Sequence, residues 1–245
     1  MSWYYQNKRN LPWRKTKNPY YIWISEVILQ QTTIKQGIPY YKKFISQYPK
    51  LKSLAETKEE NVLKLWQGLG YYGRARNLHF TSKLILKKYK GIFPSSYDEL
   101  IKLKGIGDYT ASAICSMAFD LPLAAIDGNI FRFFSRYFGI KKSIDNSKSL
   151  KYFKNKSYKL MYKENPGDYN QALMEFGSEI CKPRNPYCQK CIFKKNCYAF
   201  NLNKIYDFPV RKKNSRKKIN RFLNYLIIIK ENDEIIVEKR TKNDI

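Results

Sequence analysis

Acidic residues are scarce in this chain: 20 Asp and Glu stand against 47 Lys and Arg, a formal net charge of +27 over 245 residues. Such an excess creates a field attractive to polyanions, with nucleic acid the first candidate. Charge alone does not assign that function, because lysine outnumbers arginine 36 to 11, and abundant Asn, Ile and Tyr point to an AT-rich coding bias. Long apolar runs are missing too. The densest patch, Leu226 to Ile229, is far short of the roughly 20 residues of a membrane-spanning helix, which excludes a membrane partner of that kind. No apolar signal-peptide core follows Met1, so a reducing compartment, the cytoplasm, is expected. Internal repeats and low-complexity tracts are absent, which argues against a solenoid. With 43% hydrophobic and 16% aromatic residues, the chain has ample material for a globular core.

Scarcity makes each acid informative. Residues 1–55 carry one carboxylate, Glu26, set among Ile22, Trp23, Ile24, Val27, Ile28 and Leu29. An acid in such a run is either half of a buried ion pair or a carboxyl group whose proton is retained by its surroundings.

Cysteine is also rare, and its placement is pointed. Of five, Cys115 stands alone in an apolar segment and reads as a small buried residue, while Cys181, Cys188, Cys191 and Cys197 are separated by six, two and five residues. Four thiolates on a short loop-rich segment hold either zinc or an iron–sulfur cluster. Structural zinc sites usually pair two CxxC-like hooks across a longer gap. One CxxC flanked by single cysteines favours the cluster.

Helical spacing dominates to about residue 200, as in Tyr21, Ile24 and Ile28, with breaks read at Pro39, Pro49, Gly91–Pro94 and Pro122. The chain is therefore expected to be mainly α. A basic linker is expected over 203–221, followed by a β-hairpin, 222–229 and 234–240, turning at Glu231-Asn232-Asp233. Leu103 to Ala111 places Gly105 and Gly107 one residue apart between two helical stretches. That is a helix–hairpin–helix, whose glycines let backbone amides approach a phosphate and grip DNA without reading its sequence.

The hairpin, the acid in Ile126-Asp127-Gly128-Asn129 and the cysteine cluster follow in one order. Together they resemble the helix–hairpin–helix, Gly/Pro-Asp DNA glycosylases that carry an iron–sulfur cluster. Within that superfamily the likeness is to the adenine-glycosylase (MutY) branch, through Leu11-Pro12-Trp13-Arg14, Ser25 to Thr32 and Gly68 to Leu78. It extends over residues 3 to about 240. The resemblance implies a two-lobed glycosylase module over 1–202: a six-helix lobe at about 14–122, and a second lobe from 1–13 and 123–202 with the iron–sulfur loop at 181–197. Residues 222–245 would then begin a truncated Nudix-like domain.

The same resemblance implies excision of adenine mispaired with 8-oxoguanine or guanine in double-stranded DNA, by a monomer holding one 4Fe-4S cluster on its four clustered cysteines. It assigns Glu26 as general acid and Asp127 as the carboxylate that stabilises the developing sugar cation. Tyr109 and Asn129 orient the acids and the water. Trp13, Arg14 and Glu175 line the adenine pocket, and Gln30, Gln31 and Tyr71 probe the opened stack. Gly105 and Gly107 meet the DNA backbone. Bifunctional enzymes of the endonuclease III type carry a lysine nucleophile where this chain has Tyr109, so base removal by water is expected, leaving an abasic site. Two rivals stand beside this reading: a bifunctional pyrimidine glycosylase, and a non-catalytic DNA-binding or redox-sensing iron–sulfur protein. Asp127 also suits a helix N-cap, which is compatible with catalysis.

Overall fold

Apolar patterning in the first thirty residues builds two helices of different fate. The short α1 (Ser2–Asn7) fully buries Tyr4 alone. In α2 (Pro19–Leu29), Pro19 sits at the first turn, the Asn18 side chain accepts from the Tyr20 amide, and Tyr20, Ile22, Trp23, Ile24, Val27 and Ile28 are all buried. A helix apolar on every side has no solvent face and becomes the axis of a core. The computed structural model describes residues 1–211 together with 222, 226–229 and 234–236.

Six further helices complete the first core: α3 (Ile34–Gln47), α4 (Leu51–Glu56), α5 (Glu59–Trp66), α6 (Gly73–Lys88), α7 (Tyr97–Leu100) and α8 (Asp108–Phe119). Here α2 packs on α3, α6 and α8, while α4 and α5 lie on α6. Trp23, Phe44, Leu54, Trp66, Leu78 and Ile114 fill the centre. A second core gathers Ile130, Phe134, Phe153 and Phe176, supplied by α9 (Gly128–Phe138), α10 (Ser147–Leu160) and α11 (Pro166–Glu179), with the short α12 (Tyr198–Asn201) packed on α9. Chain order does not decide membership. Trp3 of α1 meets Phe176 edge-on at 5.0 Å, so the amino terminus belongs to the second core. The mainly helical expectation holds among the described residues of this part of the chain.

The seam between the cores is set by α11, which packs on both α8 and α9. It approaches them at glycines. A Cβ on Gly167 would lie 2.8 Å from the Ser116 carbonyl oxygen, and one on Gly177 would lie 2.6 Å from the Asn129 Cβ. Asn170 fastens the segment leading into Asp127: its Nδ2 donates to the Leu123 carbonyl at 2.8 Å and its Oδ1 accepts from the Ala125 amide at 3.2 Å.

Two expectations need correction. Pro39 does not end a helix but lies inside α3, whose buried face of Gly37, Tyr41 and Phe44 carries the helix past one missing amide donor. The attachment to the helical body also runs later than residue 203. Arg136 Nε donates to the Ile205 and Phe208 carbonyls at 3.0 and 3.2 Å, the Ile144 amide donates to Val210 at 3.2 Å, and Phe208 is 4% exposed. By contacts, the first compact unit is Met1–Lys212 and the second Lys213–Ile245. Among the described residues of the second, Ile229 and Ile235 form an isolated antiparallel bridge; the rest of the expected hairpin and most of the linker lie outside the described residues.

Because Gly177 faces backbone as well as side chain at the start of α9, Gly177→Ala is expected to lower stability by about 1–3 kcal/mol, the usual cost of overpacking a close contact. A thermal melt checks this.

Candidate active site

A cavity of about 300 Å³ opens at the seam, lined from α2 and α8 on one side and α9 and α11 on the other. Ligand pockets span roughly 300–1,000 Å³, so its size suits one planar base rather than a base pair. Glu26, Tyr109, Asp127, Asn129, Trp13, Arg14, Gln30 and Glu175, from five separate stretches of chain, all reach its wall. Gln31 and Tyr71 do not. They lie on the outer surface, Tyr71 68% exposed.

Glu26 is 8% exposed and has no salt-bridge partner among the described residues, so of its two sequence readings the ion pair is not formed. Burial pushes its carboxyl up from 4.5 to about 7, the Tyr109 hydroxyl partly opposing this and the Asp127 charge adding to it. Glu26 thus keeps its proton in roughly half of the molecules at pH 7. Tyr109, desolvated beside both acids, is driven well above its ordinary value and stays protonated; its hydroxyl lies 3.5 Å from Met174 Sδ.

Asp127 caps α9. Its Oδ1 accepts from the Ile130 amide at 2.8 Å and its Oδ2 from Asn129 Nδ2 at 2.6 Å. Burial raises its pKa, while these donors and the nearby Arg132 favour the ionised form. Capping and a cavity-facing carboxylate coexist because a carboxylate has lone pairs to spare after two bonds. Arg132 extends the array: Nη2 donates to Asn129 Oδ1 at 2.9 Å and Nε to the Cys181 carbonyl at 2.7 Å, tying the acid's orientation to the cysteine loop.

Glu175, with no exposed side-chain surface, is the cavity's fixed anion. Burial alone would raise its pKa, but the guanidiniums of Arg9 and Arg14 hold it down at about 2. Arg9 donates its amide (2.9 Å) and Nε (2.8 Å) to Oε1 and Nη2 (2.7 Å) to Oε2, which Arg14 Nη2 also reaches at 2.7 Å. Sequence reasoning missed Arg9; a buried acid among so many cations was the signal that demanded a second partner. It missed Gln171 as well, which accepts from Arg14 Nε at 3.0 Å.

In the hairpin, Gly105 has φ +81°, and a Cβ there would lie 2.8 Å from Asn77 Cβ. Gly107 caps α8 without a side-chain bond, and nothing lies within 4 Å of where its Cβ would be. The first-turn amides of α8 thus receive no bond from a capping side chain. Asp108, just inside that turn, is neutralised by Lys154 Nζ at 2.6 Å.

The four clustered cysteines line one cavity with Phe133, Arg136, Tyr137 and Phe193, and none is in a disulfide. Arg136 Nη1 lies 3.6 Å from Cys181 Sγ and donates to the Lys182 carbonyl at 2.6 Å, while its Nη2 donates to the Pro183 carbonyl at 3.1 Å. Among the described residues no three His, Cys, Asp or Glu are gathered to hold a single metal ion. Four thiols around one cavity, with a cation beside them, have the donor chemistry of a thiolate-ligated metal centre, either zinc or an iron–sulfur cluster.

This arrangement of helices, hairpin and paired acids is that of a helix–hairpin–helix DNA glycosylase. Residues 24–157 match the profile described as HhH-GPD superfamily base excision DNA repair protein. Over 82% of this chain and 93% of the other, the fold superposes on a thermostable thymine-DNA glycosylase with a TM-score of 0.75 and 30% identity. A non-covalent endonuclease III–DNA complex shares the fold at TM-score 0.71 and 24% identity, over 82% and 92% of the two chains. The adenine DNA glycosylase of Buchnera aphidicola (subsp. Acyrthosiphon pisum) is 40% identical over 246 residues, spanning 100% of this chain and 70% of that protein. The chain belongs to the adenine DNA glycosylase family: it is a base-excision-repair enzyme that acts on the N-glycosyl bond of adenine in DNA. Relatives in this superfamily typically carry an iron–sulfur cluster.

A carboxyl raised from 4.5 to about 7 binds its proton more tightly folded than unfolded, so stability falls as pH rises between those values and stays low above them. Glu26→Gln removes this penalty. The variant's stability relative to wild type is expected to rise by up to about 3 kcal/mol from pH 4 to pH 8, read from urea melts at both ends.

Proposed function

We propose that this enzyme removes adenine opposite 8-oxoguanine or guanine by direct hydrolysis, leaving an abasic site in an unbroken strand. The observation that carries this reading is the convergence of Glu26 and Asp127 on one base-sized cavity, the first keeping its proton and the second held by donors to its charge.

Extruding the nucleotide from the duplex costs roughly a few kcal/mol of pairing and stacking. Gln30, Gln31 and Tyr71 offset this by entering the opened stack. Trp13, Arg14 and Glu175 receive the base. Glu26 donates its proton to a ring nitrogen of adenine as the sugar–nitrogen bond breaks, and the base leaves neutral. The electron-deficient sugar that forms is stabilised by ionised Asp127, the electrostatic logic of paired-acid glycoside hydrolysis. Water adds to the anomeric carbon and gives its proton to the Glu26 carboxylate, which restores the starting state. Asn129 orients Asp127, and Tyr109 offers its proton to the two acids. With tyrosine rather than an amine at 109, no Schiff base forms and no strand cleavage follows.

Backbone amides beyond Gly105 and Gly107 take a DNA phosphate. Cys181, Cys188, Cys191 and Cys197 hold one 4Fe-4S cluster, which when bound supplies no bond-making chemistry and shapes a loop bearing Lys182, Arg184, Lys190, Lys194 and Lys195 for phosphate contact. The enzyme works as a cytoplasmic monomer.

In single-turnover assays on a duplex with one adenine opposite 8-oxoguanine, Glu26→Gln and Asp127→Asn should each slow base release by roughly a hundred- to ten-thousand-fold. Wild-type activity in either removes that residue from its role. The wild-type rate should fall above about pH 7, where Glu26 loses its proton. Product strands should break only after alkali; nicking as fast as base release would favour the bifunctional alternative. Purified protein is expected to contain about four iron and four sulfide per chain, and a Cys191→Ser variant less.

A further inference from the structure

Two non-glycine residues bend the backbone the unfavourable way on either side of one gap. Gln31 (φ +57°) does so just past the end of α2. Tyr71 (φ +48°) does so beyond Gly68 (φ +94°) and Gly70 (φ +69°). Glycine enters this region freely, whereas glutamine and tyrosine persist there only when their surroundings over-determine the bend.

Arg74, in the first turn of α6, occupies the gap. Its Nη1 donates toward the end of α2 and the turn after it: the carbonyls of Val27 (3.1 Å), Ile28 (2.9 Å) and Gln30, and Thr32 Oγ1 (3.4 Å). Its Nη2 donates to the other side, the carbonyls of Leu69 and Gly70, both at 3.2 Å. The guanidinium carbon sits 5.3 Å from the Trp66 ring centroid and 5.6 Å from that of Tyr71. The Trp66 indole adds a bond from Nε1 to the Gly70 carbonyl at 3.1 Å. Helix ends leave carbonyls without intrahelical partners, and here one cation shares its donors among those of Val27, Ile28 and Gln30 while gripping the 69–70 turn. Arg74 does not line the catalytic cavity.

We propose that Arg74 is a positioning residue for base extrusion, its two-sided fork fixing Gln31 and Tyr71 in their left-handed conformations so that both side chains are presented to the duplex before DNA arrives. The gain is preorganisation: ordering that would otherwise be lost on binding is already complete in the free protein. A lysine cannot replace it, because one ammonium cannot donate in a plane to acceptors on two sides while stacking between two rings. The inference rests on the reading of Gln31 and Tyr71 as the residues that enter the stack.

The experiment compares wild type, Arg74→Lys, Arg74→Gln, Tyr71→Ala and Asp127→Asn in single-turnover base release from two duplexes. In one the target adenine is paired opposite 8-oxoguanine, and in the other it lies in a three-nucleotide bubble that needs little opening. Both Arg74 variants should slow release from the paired duplex at least tenfold, yet stay within threefold of wild type on the bubble. Amide hydrogen exchange at residues 31–32 and 70–72 of the free protein should quicken in both. Asp127→Asn should lose activity on both duplexes alike. Equal losses on the two duplexes, or unchanged paired activity, in whichever Arg74 variant folds overturns the proposal. If Tyr71→Ala shows no paired-to-bubble difference, the stack-entering reading itself fails; if Tyr71→Ala shows it and the Arg74 variants do not, only the role of Arg74 falls.

Discussion

The structure depends on keeping one carboxyl group, Glu26, out of water and away from cations. A chain with 47 basic residues could neutralise any acid, and elsewhere it does so, at Glu175, Asp108 and Asp120. Glu26 has no such partner among the described residues: its neighbours in α2 are buried apolar side chains, and the helix packs chiefly on α3 and α8. Desolvation then acts unopposed by a cation and raises its pKa to about 7. In the proposed mechanism, lower stability at neutral pH is exchanged for a carboxyl group that still carries its proton in part of the molecules, as at other active sites.

The arginines and lysines divide their labour. Of the 11 arginines, Arg9, Arg14, Arg74, Arg132 and Arg136 each grip several acceptors at once, and each joins segments far apart in the chain. Arg9 and Arg14 bind Glu175 across 166 and 161 residues, and Arg136 binds the Ile205 carbonyl across 69. A planar fork with five donors suits such work, and its charge persists in partly buried places where an ammonium would give up its proton. The lysines remain largely at the surface, where a screened, mobile charge is suited to holding a phosphate backbone.

The consequence is an active site suspended between two cores by a few directional bonds. Asp127 is held by Asn129, Asn129 by Arg132, and Arg132 by the carbonyl of Cys181. The cysteine loop and the reacting centre are thus mechanically continuous. Gln31 and Tyr71, by contrast, lie outside the cavity on backbone of positive φ and are exposed to solvent.

Much of this was legible in the order of residues. Apolar periodicity marked the helices, the Gly105–Gly107 spacing marked the hairpin, and the four cysteines marked side chains that share one cavity. The solitary acid of α2 announced a perturbed carboxyl group. These are local signals, carried by spacing and composition within a few turns of chain. Pro39 was misread because its local penalty was outweighed by the buried face of α3. The boundary near residue 203 was misplaced because Phe208 is held by α9, a distant partner that spacing does not name. Arg9 as counterion of Glu175, Trp3 on the second core and the two-sided grip of Arg74 were decided only by tertiary structure. Periodicity tells a side chain whether to be buried; which group it meets there depends on how the two cores close on each other, and no residue carries that information alone.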